Sequence, residues 1–149
     1  MVSVIGFDYG ECRIGVAIGM PDAGTANPLT TLMVSASGTP WNEIDEIIGQ
    51  WHPRTLVVGR VEHDTQDQGR IKRQIRNFCK ALQNRYRLPV ETVDEAFSSA
   101  QAYAVLKELR VQGHRRKIRK TDIDKASAAI ILQTWLSSNA SPQTGRTVS

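Results

Sequence analysis

The chain has 149 residues with 40% apolar and 23% charged composition, which is one ordinary globular domain and excludes a largely disordered polymer. Asp8 interrupts the first apolar stretch with no basic residue before it, and Lys125 precedes the last one, so neither a secretory signal nor a membrane span is expected. Two cysteines, Cys12 and Cys79, exclude a disulfide framework and an all-cysteine zinc site, and a reducing cytoplasm is the expected compartment.

The net charge of +4 hides an asymmetry. Residues 1–59 hold two Lys/Arg against six acids, and residues 60–149 hold seventeen against nine. A basic half points to a polyanionic partner, although an ordinary solvated surface has the same composition.

In chain order, Val2 to Asp8 is a β-prone run ending at a turn glycine, Gly10. Arg13 to Gly19 follows as a second strand across a short connection, which predicts an antiparallel pair. Residues 20–28, with Pro21, Gly24, Asn27 and Pro28, read as a loop before a third strand over Leu29 to Val34. Ile44, Ile47, Ile48 and Trp51 recur at helical spacing over Asn42 to Trp51, and Pro53 ends that helix. Thr55 to Gly59 is a compact apolar run, the pattern of a buried central strand.

From Asp67 to Tyr86 the apolar positions Ile71, Ile75, Phe78, Leu82 and Tyr86 mark an amphipathic helix. Its other face carries Arg70, Lys72, Arg73, Arg76 and Lys80. Val90 to Asp94 is a further strand. A helix from Ser98 or Ser99 to about Gln112 stops at Gly113. A basic run follows, then a last helix from about Asp122 to Leu136. The Ser/Thr-rich end reads as a disordered tail, leaving one domain over residues 1–138 and the tail at 139–149. The order βββαβαβαα predicts an α/β fold. Its mixed five-stranded sheet has an antiparallel meander leading into parallel strands, with helices on its faces.

Three groups of acids occupy expensive positions. Asp8 ends a strand near the sheet centre, and Asp94 and Glu95 end another. Asp124 heads a helical stripe completed by Ala128, Ile131 and Trp135, so it faces the sheet. Ligands of open α/β sheets bind beyond the carboxyl ends of parallel strands, where these acids would converge. Clustered carboxylates repel, and a hard divalent cation such as Mg²⁺ relieves the repulsion and bridges to phosphate oxygens. Each acid also has a plainer role, as turn chemistry at Asp8, a cap at Asp94 and Glu95, or a helix-dipole charge at Asp124.

The stretch GFDYGECRIGVAIG at 6–19 resembles the opening motif of the bacterial YqgF/RuvX family, which has a ribonuclease H-like fold. TLVVG at 55–59, VDEAFSS at 93–99 and DKASAAIILQTWL at 124–136 are similar to its later motifs, in family order. The resemblance implies a cytoplasmic nuclease that processes precursor 16S rRNA, or one that resolves Holliday junctions. It places the catalytic and metal-binding acids on Asp8, on the Asp94-Glu95 pair with Glu95 as the favoured ligand, and on Asp124, with Mg²⁺ or Mn²⁺ as cofactor. The chain departs from the family pattern at Glu11 and Cys12, where the family has Thr-Lys, and at Ala96, where it has arginine.

The basic run Arg115, Arg116, Lys117, Arg119 and Lys120 leads into the helix carrying Asp124 and is expected to grip phosphates beside the acids. The expected partners are structured RNA or branched DNA together with ribosomal components, with no membrane, the chain acting as monomer or homodimer. A non-catalytic RNA-binding assembly factor and an actin-like phosphotransferase are the readings from other classes. The phosphotransferase would need a second such domain.

Overall fold

A computed structural model of the chain describes residues 2–61, 68–95 and 119–140. Three strands, β1 (Val4–Tyr9), β2 (Arg13–Met20) and β3 (Thr25–Met33), form an antiparallel meander. Helix α1 (Trp41–Trp51) leads to β4 (Thr55–Val61), and α2 (Gln68–Tyr86) leads to β5 (Val90–Glu95). Helix α3 (Lys120–Ala140) is the last described element. The strand order is β3-β2-β1-β4-β5, with β4 parallel to both β1 and β5. This is the expected mixed sheet, and β1 lies at its centre.

Strand alternation divides the core in two. Ile5, Phe7, Ile14, Val16, Ile18, Leu56 and Val58 pack on one face with Ile44 of α1 and Ile75, Phe78 and Leu82 of α2. Val4, Ala17 and Val57 pack on the other face against Ala128, Ile131, Leu132 and Leu136 of α3. The predicted α2 stripe is therefore the buried one. Helix α1 ends where His52 adopts a left-handed φ of 47° and donates its N–H to the Ile48 carbonyl, just before Pro53.

Two element boundaries differ from the sequence reading. Strand β3 begins at Thr25 rather than Leu29 and contains Pro28. It is an edge strand, where a proline without an N–H is tolerated, and the β2–β3 register shifts between Val16 and Ala17, the residue paired with Pro28. Helix α3 begins at Lys120 and continues through Ala140, past the expected end at Leu136, so the first two residues of the expected tail, Asn139 and Ala140, lie in the helix. The helix expected from Ser98 to Gln112, the residues Arg115, Arg116 and Lys117, and positions 141–149 lie outside the described residues.

Candidate active site at the carboxyl edge of the sheet

Asp8 sits near the end of β1, level with Gly15 on β2 and Gly59 on β4. Paired residues share a face, so all three belong to the α3 side. At Gly15 a Cβ would overlap the backbone carbonyl of Asp124, and at Gly59 it would overlap the Ile131 side chain. The two glycines let α3 lie directly on the sheet at the level of Asp8. This close approach half-buries the Asp8 carboxyl.

Asp124 stands in the first turns of α3, as the helical stripe predicted, with Ala128 and Ile131 fully buried behind it. Arg13, the first residue of β2, donates from Nε to Asp124 Oδ2 at 2.5 Å. The pair is largely covered, with side chains 32% and 21% exposed. No such partner exists for Asp8: among the described residues nothing donates a hydrogen bond to its carboxylate and no cation pairs with it. Burial, and then the charge on Asp124, push the Asp8 carboxyl up from 3.8 to about 7.

Glu95 ends β5 as the backbone partner of Val61. By register it belongs to the same set as Glu91 and Val93. Glu91 of the same strand faces α3, and Trp135 Nε1 donates to its Oε1 at 2.8 Å. Asp94 is the backbone partner of Arg60. Asp8 is level with Gly59 and, across β4, with Val93, so the backbone at Glu95 lies two residues further along the same edge of the sheet. Among the described residues no cluster of three His, Cys, Asp or Glu is assembled, and the three predicted acids are represented by the Asp8 and Asp124 pair.

Of the predicted basic run, Arg119 and Lys120 are described, and both are exposed at the start of α3. Arg119 is the N-cap, its carbonyl accepting from the N–H groups of Asp122 and Ile123. Asp122, only 4% exposed, accepts from the Arg119 N–H at 2.9 Å. This buried acid therefore has a capping role. The loop side of the site is tied down separately, with Arg70 of α2 paired to Glu11 at 3.0 Å.

Arg13 is the site residue that sequence reasoning passed over. Its partner lies 111 residues away in the chain. The available signal was a lone cation opening a strand whose neighbours are apolar or glycine.

A family model described as RuvX, Holliday junction resolvase, matches residues 2–138. A Methylococcus capsulatus protein named "Putative pre-16S rRNA nuclease" is 41% identical over 145 residues, covering 93% of this chain and 91% of the relative. A Legionella pneumophila protein of the same name is 39% identical over 132 residues, covering 89% and 93%. In structure the chain is similar to Thermus thermophilus RuvC in complex with a Holliday junction substrate. That likeness has a TM-score of 0.57 at 16% identity over 97% of each chain. It is also similar to the fowlpox virus resolvase in complex with Holliday junction DNA, with a TM-score of 0.55 at 10% identity over 92% of this chain and 98% of that one. These likenesses bear out the ribonuclease H-like sheet expected from the sequence, and no described helix is long and apolar enough to cross a membrane. From the family match over nearly the whole chain and the identity to its relatives, the chain belongs to the RuvX family.

Proposed function

We propose that this protein is a metal-dependent endonuclease acting on structured RNA, the precursor of 16S rRNA. One observation carries the reading: Asp8 is a half-buried carboxylate without a hydrogen-bond donor or counter-cation among the described residues, beside a second acid. A fold keeps such a group at a cost unless a cation relieves it. An all-carboxylate donor set fits a hard ion, Mg²⁺ or Mn²⁺. Asp8 and Asp124 would hold it, with Glu95 as the third ligand. When bound, such a cation supplies Lewis acidity toward a phosphodiester and neutralises developing charge.

The chain's own groups set the rest of the chemistry. Arg13 fixes the carboxylate of Asp124 while donating from Nε. The α3 backbone over Gly15 limits water on one side of Asp8. Arg119 and Lys120 stand exposed at the head of α3, and with Arg115, Arg116 and Lys117 they are assigned to phosphates flanking the scissile bond.

The relatives' name favours precursor rRNA as substrate. The family description and the two junction-bound neighbours favour a second reading, cleavage of a four-way DNA junction. The test is cleavage by the purified chain, with Mg²⁺ or Mn²⁺ against EDTA, of precursor 16S rRNA and of a four-way junction. Cation-dependent cutting of the RNA is expected. Cutting of the junction alone would install the second reading, and no cutting of either would leave a binding protein.

A further inference from the structure

Helix α2 is a 19-residue helix without a single acid. It carries six cations, and those near its two ends are tied down. Arg70 pairs with Glu11 at 3.0 Å, and Arg85 pairs with Asp45 at 2.8 Å. Between them Lys72, Arg73, Arg76 and Lys80 are all exposed, and none has an acidic partner among the described residues. Lys72, Arg76 and Lys80 recur every four residues, with Arg73 beside them, so they form one stripe on the face opposite the buried Ile75, Phe78 and Leu82. Like charges at this spacing repel, and nothing within the helix offsets them.

The stripe is also placed relative to the acids. Glu11 lies three residues beyond Asp8, in the β1–β2 turn, so its pairing with Arg70 fixes the start of α2 at the sheet edge that carries Asp8. From there the cations run back along the helix. Lys72 to Lys80 spans about 12 Å at 1.5 Å per residue. Over that length a nucleic-acid duplex presents about seven phosphate charges. Two copies of the chain meeting through this face would set four unpaired cations against four, which disfavours a symmetric dimer contact there.

We propose that the outer face of α2 is a second nucleic-acid track. It would hold the phosphodiester backbone of substrate that extends beyond the site, through Lys72, Arg73, Arg76 and Lys80. The proposal deepens the nuclease reading by assigning contacts outside the acidic site. The ligand chemistry is the backbone phosphate, carried equally by duplex RNA or a branched DNA arm.

The test uses the full chain in EDTA, so that binding is read without cleavage. The triple variant Lys72→Gln, Arg76→Gln, Lys80→Gln is compared with the parent and with Arg54→Gln. Arg54 is an exposed cation just before β4, at the opposite edge of the sheet. Probes are a precursor 16S rRNA stem with long flanks, the same stem trimmed close to the cleavage region, and a four-way DNA junction, each titrated at several salt concentrations. On the long-flanked stem or the junction, the triple variant should bind at least tenfold more weakly. Its log–log salt slope should be shallower by about 0.9 for each phosphate-binding cation neutralised. The trimmed stem should be nearly unaffected, and which long probe loses affinity identifies the RNA or DNA source. An unchanged slope on both long probes, or a loss no larger than that of Arg54→Gln, overturns the proposal. The nuclease reading fails on a separate result, the absence of cation-dependent cutting by the parent chain, which leaves these slopes untouched.

Discussion

Replacing Asp8 with asparagine should stabilise the metal-free protein at neutral and alkaline pH while abolishing cation-dependent cleavage. The carboxyl is held near 7 in the folded chain against 3.8 ordinarily, a displacement of about three pH units. Each unit corresponds to about 1.4 kcal/mol, so the ionised group costs the fold about 4 kcal/mol above pH 7. The direction follows from proton counting. Between pH 4 and pH 7 the folded chain keeps a proton that the unfolded chain has released, so stability falls as pH rises and levels off above 7. The asparagine side chain has no proton to lose and escapes that fall. Two of the three units lie between pH 5 and pH 7, so the advantage of Asp8→Asn should widen by about 3 kcal/mol between pH 5 and pH 8. At roughly 2–4 °C per kcal/mol for a chain of this size, the widening is about 6–12 °C in Tm. Urea unfolding in EDTA at the two pH values, followed by circular dichroism, measures it. A gap that does not change with pH, or a variant less stable than the parent at pH 8, would refute the claim that Asp8 is a half-buried carboxylate without a counter-cation.

Three further changes probe the surroundings of Asp8. Asp124→Ala should eliminate cleavage at a stability cost within about 1 kcal/mol, because its partly exposed pair with Arg13 is worth little and its repulsion of Asp8 is removed; paired melts and cleavage assays check this. Arg13→Gln should lower Tm in EDTA by leaving Asp124 without its counter-cation, and Mn²⁺ should narrow the gap to the parent in thermal melts by supplying another. Gly15→Ala should cost about 1–3 kcal/mol in urea unfolding and reduce cleavage as well, because the added methyl meets backbone at Asp124 rather than a flexible side chain.

Much of the fold is legible in the sequence because its signals are local. The spacing of Ile71, Ile75, Phe78 and Leu82 admits one buried helical face, and that face is the one packed on the sheet. The compact run Thr55 to Gly59 is the parallel neighbour of β1. The start of β3 is not legible, because Pro28 resembles punctuation. Proline is costly only where its missing N–H is needed, and an edge position removes that need. Asp8 and Asp124 are legible as acids in costly places, but the pairing of Arg13 with Asp124 is not, since no local pattern links residues 111 apart. Asp122 carries a readable signal, an acid three residues after the N-cap Arg119, at the spacing of a capping box.

The glycines around Asp8 tie folding to chemistry. With side chains at positions 15 and 59, α3 would stand away from the sheet, water would reach Asp8, and its carboxyl would return toward the ordinary range. Bare backbone on both neighbouring strands instead lets the helix desolvate the acid and brings Asp124 beside it. The charge conflict therefore follows from how closely α3 packs, and substitutions that relax the packing should relax the conflict. A cation bound between the two acids would remove the same cost, so cation binding should add to folding stability. A ligand at 100 times its Kd contributes about 2.7 kcal/mol in this way. The rise in Tm with Mn²⁺ should be large in the parent chain and absent in Asp8→Asn. A chain whose Tm ignores Mn²⁺ while it still cuts RNA would mean that the acids act without holding the ion.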